Sequence, residues 1–240
     1  MFKKTNCSTR AAIVCILLML TFTISTQAQK KSAIGVGLLY GSSTLTFNQN
    51  SDKFDKRIAN EIINYSPVQN LGIALGYSVS LTERFALQMM PRWQQWGGVI
   101  DVQSSQNATS RLNMEINYQG FRIPAYVQYR IWDNKKLQLK TLLGMGVEYT
   151  YKLWFVPNNI YGNGPTQRRT AEIVAPFASA GICVRYKPST ESKVNYILGI
   201  FYETDAFLNP KRFNEYNFYQ NAVPLLSHQL FSTLSIQFPL

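Results

Sequence analysis

The chain of 240 residues is poor in charge, cysteine and histidine. Charged side chains make up 15% of the sequence, whereas an average soluble chain carries about 25%. The three cysteines and single histidine predict neither a disulfide framework nor a metal centre, so no cofactor is expected. Apolar residues reach 46% and aromatic residues 13%, which is too apolar a composition for a disordered chain.

Long hydrophobic runs are also missing, except for one at the N-terminus. Lys3, Lys4 and Arg10 precede an uninterrupted apolar run over 11–24, and Ala28 supplies a small residue before a cut. This three-part pattern predicts a secretory signal peptide over 1–28, followed by one mature domain over 29–240. The alternative is a retained N-terminal membrane helix.

The positions of the cysteines indicate whether the chain carries a lipid anchor and in which cellular compartment it lies. Cys15 lies within the apolar run rather than after it, which argues against a lipoprotein. Cleavage after Ala28 would lower the net charge from +11 to +8 and leave Cys183 as the remaining cysteine. An exported chain without disulfides is typical of a bacterial envelope protein rather than of a small secreted scaffold.

The mature chain alternates between apolar and polar residues in eight segments, the pattern of strands with one apolar face. The segments begin near Ile34, Leu71, Phe85, Leu112, Leu137, Val174, Val194 and Leu230. Short links near 80–84, 132–136 and 187–193 alternate with long ones over 48–70, 97–111, 156–171 and 206–228. This order predicts an all-β fold, an eight-stranded antiparallel up-and-down transmembrane β-barrel with one domain.

The fourth segment changes phase in the middle. Its apolar residues occupy even positions from Leu112 to Tyr118 and odd positions from Phe121 to Tyr129. Because a slip of one residue turns every side chain over, we predict a β-bulge near Gly120. The fifth segment keeps one phase through Leu153, which predicts that Leu153 faces outward with the other apolar residues.

The composition of the two faces favours a membrane barrel over a soluble one, whose apolar side would point inward. The polar face consists mainly of Gly, Ser, Thr, Gln and Asn, whereas a water-facing surface is usually richer in Lys and Glu. Tyr and Trp cluster towards the ends of the apolar faces, as they do at the two edges of a bilayer. We therefore predict that the barrel lies in the bacterial outer membrane.

A motif in the fourth segment resembles a known family. The stretch 118–129, YQGFRIPAYVQY, is similar to the aromatic-x-x-hydrophobic-x-Ile-Pro stretch of the PorT-like outer-membrane β-barrels (porin family, small eight-stranded type). The glycine-rich stretch 143–147 resembles the strand that follows it there. The resemblance implies an outer-membrane barrel, and it allows a role in a secretion or gliding apparatus, as some relatives have.

Nine charged residues fall on the polar face, which we predict to be the barrel interior. Charges facing lipid would each cost about 2–4 kcal/mol at the bilayer midplane. An eight-stranded barrel is so narrow that its side chains fill it, so these charges are expected to pair into a plug; a conducting or substrate-binding lumen is the alternative. They are Arg92, Glu115, Arg122, Lys140, Glu148, Lys152, Arg185, Glu203 and Asp205.

Six basic residues lie in predicted outer loops and could contact phosphates of lipopolysaccharide; ordinary solvated charge is the alternative. They are Lys56, Arg57, Arg168, Arg169, Lys211 and Arg212. The basic residues are otherwise scattered and no nucleic-acid motif occurs, so no nucleic-acid partner is predicted.

The sequence favours a non-enzymatic envelope barrel with a structural or surface-interaction role. Its expected partners are outer-membrane lipid and lipopolysaccharide, with an envelope protein as a further candidate. An accessory barrel of a secretion or gliding apparatus and a narrow porin are alternatives. Ser227 and His228 are adjacent and raise a lipid-modifying enzyme as a further one. A single histidine without a Gly-x-Ser-x-Gly motif is weak support for catalysis, so no catalytic residue is predicted.

Overall fold

The computed structural model of the protein describes residues 32–47, 62–103, 111–159, 162–163, 167–189, 192–205 and 225–240. The predicted signal peptide lies outside these ranges. Within them, no helix is long and apolar enough to cross a membrane. The strands are β1 (Ser32–Phe47), β2 (Ile62–Ser66), β3 (Val68–Ser80), β4 (Phe85–Met89), β5 (Arg92–Gln103), β6 (Arg111–Asp133), β7 (Leu137–Asn159), β8 (Gly162–Asn163), β9 (Gln167–Tyr186), β10 (Asn195–Thr204) and β11 (Leu225–Pro239).

These strands form eight antiparallel walls that close into a ring. β2 with β3, β4 with β5, and β8 with β9 each form one wall. The first two breaks fall at Pro67 and at Met90-Pro91, because proline cannot donate to a strand ladder. The first and last strands close the ring, with Ala33 opposite Pro239 and Phe47 opposite Leu225. The predicted eight-stranded up-and-down barrel is confirmed.

The tight turns, the start of β1 and the end of β11 lie at one end of the barrel, which we call the turn end. In the turn after β6, the Asn134 side chain accepts hydrogen bonds from the amides of Lys136 and Leu137 at 2.9 and 2.7 Å. Thr82 accepts one from the amide of Phe85 at 3.0 Å after β3. Side chains that bond to nearby backbone in this way favour short turns. We call the opposite end the loop end.

The barrel consists of two sections with opposite polarity. In the belt section, at the turn end, apolar side chains point outward and stay exposed; Leu38, Leu143 and Met145 are 65%, 70% and 71% exposed. It includes 32–41 of β1, 120–133 of β6 and 137–150 of β7. In the loop-end section, which includes 42–47 of β1, 111–119 of β6 and 151–159 of β7, most of the buried inward side chains that the structure describes are apolar.

The β-bulge that we predicted near Gly120 is present as a register shift between Gln119 and Gly120 in the β6–β7 pairing. β6 itself nevertheless passes from one section to the other without turning over. Even-numbered residues point inward along the strand, from Met114 through Gly120 to Gln128. The change of phase in the sequence therefore records a change of surroundings. From Asn113 to Gln119 the outward residues are polar, and from Phe121 towards the turn end they are mainly apolar.

The extra residue of this bulge lies on β7. Gln119 pairs with Lys152 and Gly120 pairs with Thr150, so Tyr151 is the extra residue. This bulge turns the following residues over, which makes Leu153 buried and Lys152 exposed. The predicted outward position of Leu153 is therefore wrong, since the apolar pattern continues while the strand reverses its faces.

The loop-end section has a compact apolar core, which we call the upper cluster. Its buried members are Leu45, Phe47, Trp96, Ile100, Met114, Ile116, Tyr118, Leu153 and Leu225. At its edge, burial raises the pKa of Tyr65, whose hydroxyl accepts a hydrogen bond from the Phe47 amide at 3.3 Å. Gly98 lets β1 approach β5, because a Cβ there would lie 2.5 Å from the Leu45 nitrogen. The predicted loops over 48–70 and 97–111 are thus partly strand.

Candidate functional site

Four buried charges meet in the interior of the belt section, and the strand register brings them together. Arg92 on β5 is the cross-strand partner of Arg122 on β6, which is in turn the partner of Glu148 on β7. Glu203 lies on β10, in the wall opposite β5. All four residues are at most 2% exposed. We call this set the charge network.

The charge network is electrically balanced, with two guanidinium groups and two carboxylates. Oε2 of Glu203 accepts from Arg92 Nη2 and, at 2.8 Å, from Arg122 Nη1. Nη2 of Arg122 donates to Glu148. Because Glu203 bridges both arginines, it ties the β10 wall to the walls of β5 and β6. Buried charges tolerate a low-dielectric interior only when they are paired in this manner.

Polar neighbours occupy the remaining oxygens of the two carboxylates. Oε1 of Glu203 accepts hydrogen bonds from the hydroxyls of Ser179 and Tyr126 at 3.0 and 3.2 Å. Oε1 of Glu148 accepts one from Thr150 at 3.0 Å. Each carboxylate thus has partners on both oxygens, which fixes its orientation within the barrel.

Two glutamines extend the network across the barrel. Arg92 Nε donates to Gln94 at 2.6 Å, and the amides of Gln94 and Gln229 are in contact at 2.7 Å. With its oxygen turned towards Arg122, Gln229 accepts from both Nη atoms at 3.0 and 2.8 Å. Sequence analysis did not select these residues, although both lie on the polar face.

Aromatic rings cover the faces of both guanidinium groups. The Arg122 Cζ lies 5.0 Å from the Trp96 ring centre and 4.7 Å from that of Phe177. The Arg92 Cζ lies 4.7 Å from the centre of Phe231. These cation–π contacts stabilise a desolvated cation over an aromatic face, so the arginines are held by rings as well as by carboxylates.

Apolar clusters lie on both sides of the charge network. The upper cluster lies towards the loop end. A lower cluster lies towards the turn end, with Leu39, Ala74, Met90, Tyr126, Leu142, Cys183, Phe201 and Phe231 as its buried members. Interior packing of this kind, with charges between two apolar layers, opposes the passage of ions.

The remaining predicted interior charges take different positions. Asp205 is buried near the loop end and accepts a hydrogen bond from the Ser227 amide at 2.7 Å. Lys140 and Arg185 lie inside the barrel near the turn end, where they donate to Gln128 and Gln138 at 3.3 and 3.2 Å.

For Glu115 and Lys152, the predicted interior position is wrong. Glu115 lies on the outward face of β6, where it accepts from Asn117 at 2.7 Å, because β6 keeps its phase. Lys152 is exposed because the Tyr151 bulge reverses β7. Both belong to the loop-end section, whose outward face is polar.

Most of the predicted loop contacts lie outside the described residues, namely Lys56, Arg57, Lys211 and Arg212. Arg168 and Arg169 lie in β9, opposite Trp154 and Leu153, and their side chains are likewise outside the described set.

Ser227 and His228 lie on opposite faces of β11, so they do not form a catalytic pair. Ser227 is buried inside, at 1% exposure. The His228 ring lies on the outer face against Tyr202, whose hydroxyl is 2.8 Å from Nδ1.

Comparison with known proteins identifies the fold. No protein-family model matches the chain, and no curated protein matches it. The outer membrane protease OmpT from Escherichia coli superposes with a TM-score of 0.50 at 8% identity, over 89% of this chain and 98% of the other.

Two further barrels superpose less closely. The outer membrane protein OprG from Pseudomonas aeruginosa gives a TM-score of 0.46 at 7% identity, over 88% of this chain and 96% of its own. Ail, the attachment invasion locus protein of Yersinia pestis, solved with the heparin analogue sucrose octasulfate, gives 0.39 at 17%, over 87% and 99%. The superposition on OmpT shows a shared β-barrel fold.

The apolar belt supplies the location. A closed β-barrel with an exposed apolar belt and a polar layer inside is the architecture of bacterial outer-membrane proteins. The chain is an integral outer-membrane β-barrel.

Proposed function

We propose that this barrel is a non-conducting and non-enzymatic component of the outer membrane, with a structural or surface-interaction role. The observation that carries the proposal is the charge network, in which Glu203 joins two arginines from the opposite side of the barrel. A lumen built for transport would need a continuous polar path, whereas this network lies between two apolar clusters.

The orientation follows from the lengths of the connections. Outer-membrane barrels place tight turns in the periplasm and longer loops outside the cell. The turn end therefore faces the periplasm, and the loop-end section extends beyond the belt into the medium. A signal peptide over 1–28 would deliver the chain to this compartment.

The surface role is supported by the polarity of the loop-end section. Its outward side chains on β6 are Asn113, Glu115, Asn117 and Gln119, so this part of the barrel is built to contact water and polar partners. We extend the role to lipopolysaccharide, whose phosphates would meet the basic residues Lys56, Arg57, Arg168, Arg169, Lys211 and Arg212. Membership of the PorT-like family is also part of the proposal, and it rests on the 118–129 motif.

Recordings in planar lipid bilayers test the closed interior. We expect the mature protein to give no stable conductance steps, and we expect Glu203→Ala to admit ions by removing the group that joins opposite walls. Glu115→Ala is the matched control because it removes an outward carboxylate from the same barrel. Reproducible ohmic steps from the unmodified protein, after its insertion is verified by heat-dependent gel migration, would overturn the proposal.

A further inference from the structure

The lipid-facing surface of the barrel carries a groove that ends at a cluster of polar side chains. We propose that this groove and cluster form one site for a phosphorylated lipid of the outer leaflet, the lipid A part of lipopolysaccharide. An acyl chain would lie in the groove and the phosphorylated headgroup at His228. This inference rests on the proposed membrane function, and it names a site separate from the loop residues.

The groove has a volume of about 950 Å³, comparable with the larger binding sites for small molecules, which span about 300–1,000 Å³. Outward apolar side chains from five walls line it, including Val127, Leu143, Leu198 and Leu230. Its floor has no large side chain on β9, because that strand contributes Ala180 and Gly181 there.

Gly181 and its partner Leu142 explain why the wall itself forms the floor. The two residues are paired across β7 and β9, and both point into the barrel. Only their backbone faces outward, so between the neighbouring large side chains the surface recedes to the sheet. A barrel exterior is otherwise convex, whereas this depression crosses the walls from Tyr129 on β6, past Thr141 and Ile182, to Ile200 and Tyr202 on β10.

The polar cluster lies at the loop end of the groove, where the belt meets water. Tyr202 lines the groove, and its hydroxyl is 2.8 Å from His228 Nδ1. Thr204 Oγ1 is 3.2 Å from the same nitrogen, and Thr46 Oγ1 is 3.4 Å from Nε2. Three strands thus bring one imidazole and three hydroxyls together at the level where lipid headgroups lie. Thr204 is buried at 5% exposure, so the imidazole and the hydroxyls of Tyr202 and Thr46 are the groups that a headgroup would meet.

The position of the site selects its occupant. The groove opens onto hydrocarbon, so its occupant must be apolar along its length and polar only at the loop end. A lipid of the outer leaflet has this shape, and hydroxyl and imidazole donors bind phosphate oxygens. Cleavage after Ala28 would leave the mature chain with a formal net charge of +8, which favours an anionic lipid over a neutral one.

Native mass spectrometry of the full mature barrel, released from detergent, tests the site. The probes are diphosphorylated lipid A, dephosphorylated lipid A, and inorganic phosphate alone. Ala180→Leu fills the groove, and Ala125→Leu is its control because Ala125 is also outward and exposed on the belt but does not line the groove. His228→Ala and Tyr202→Phe alter the polar cluster, with Tyr40→Phe as the control on another exposed belt tyrosine.

We expect Ala180→Leu to lower retention of diphosphorylated lipid A about tenfold and the two polar variants to lower it several-fold, with both controls unchanged. Equal binding of dephosphorylated lipid, or of phosphate alone, would overturn the lipid assignment. Retention that Ala180→Leu leaves intact, or a second copy of the chain bound in place of lipid, would overturn the groove. Extraction of the unmodified protein from membranes by carbonate would instead contradict the proposed membrane function.

Discussion

The belt section and the loop-end section are built from the same continuous strands but bury opposite kinds of side chain. In the belt section, Leu38 and Leu143 face outward while Arg122 and Glu203 are buried inside. In the loop-end section the interior holds Trp96 and the other residues of the upper cluster. The surroundings of each section, lipid or water, decide which face of the sheet must be apolar.

Two neighbouring strands achieve this inversion by different means. β6 keeps its geometry and changes its sequence pattern at Gly120, whereas β7 keeps its apolar pattern and changes its geometry at Tyr151. The comparison shows that a β-barrel can leave the membrane through either sequence or backbone. It also shows that the change of phase in the sequence of β6 does not come from a reversal of its faces, although a register shift lies at Gly120.

The largest effect is expected from the interior of the belt section. Glu203→Ala should lower the free energy of unfolding by about 3–5 kcal/mol, because it leaves Arg92 and Arg122 buried with too little negative charge. Urea unfolding in lipid vesicles, followed by tryptophan fluorescence, measures it. Glu115→Ala, the outward counterpart, should change the value by no more than about 0.5 kcal/mol. Equal losses for the two variants would contradict the difference between the sections.

A somewhat smaller effect is expected in the loop-end core. Ile116→Ala should cost about 2–5 kcal/mol, because it opens a cavity in the upper cluster. Leu38→Ala in the belt should cost clearly less, since mobile lipid chains can occupy the space. The same unfolding assay compares them, and a larger loss for Leu38→Ala would show that the upper cluster is not a packed core.

A charge on the outward face should distinguish the two sections. Leu198→Lys in the belt should cost about 2–4 kcal/mol, as lysine does near the midplane of a bilayer. Asn117→Lys lies outward in the loop-end section and should be neutral within about 0.5 kcal/mol, because its side chain meets water. If both variants were neutral, Leu198 would not face lipid.

The smallest perturbation tests the bulge on β7. Lys152→Cys should react with a membrane-impermeant maleimide, while Leu153→Cys should not, since Tyr151 reverses the faces beyond it. Cys183 gives little background because it is buried. Reaction at position 153 and protection at position 152 would place β7 in the phase that its sequence alone suggests.

The sequence predicts the facing of residues correctly wherever the apolar residues of a strand all point outward. On β1, β9 and β10 the apolar residues of the belt are outward as their alternation predicts, for example Ile34, Ile182 and Leu198. Eight strands are predicted from the sequence and the eleven strands of the structure form eight walls, with turn chemistry such as that of Asn134 between them.

The sequence could not show whether a residue faces inward or outward where the surroundings of the barrel, or the faces of a strand, change along its length. Glu115 and Lys152 share the polar phase of their segments, yet both face water because the barrel continues beyond the membrane. The pairing of Glu203 with Arg92 and Arg122 was equally out of reach, since it depends on which walls the closed ring sets opposite each other. The odd positions of β6 are apolar from 121 to 129 but polar from 113 to 119. This change in the outward positions is the signal that could have revealed the loop-end section.

A cysteine scan along β6 from position 113 to 127 tests the inversion most directly. Each variant is reconstituted in lipid vesicles and exposed to a water-soluble maleimide and to a lipid-soluble quencher of an attached probe. The structure predicts water reactivity at odd positions up to 119, lipid contact at odd positions from 121, and protection at even positions throughout. Outward reactivity that moves to the even positions 114, 116 and 118 would contradict it and show that β6 reverses its faces at Gly120.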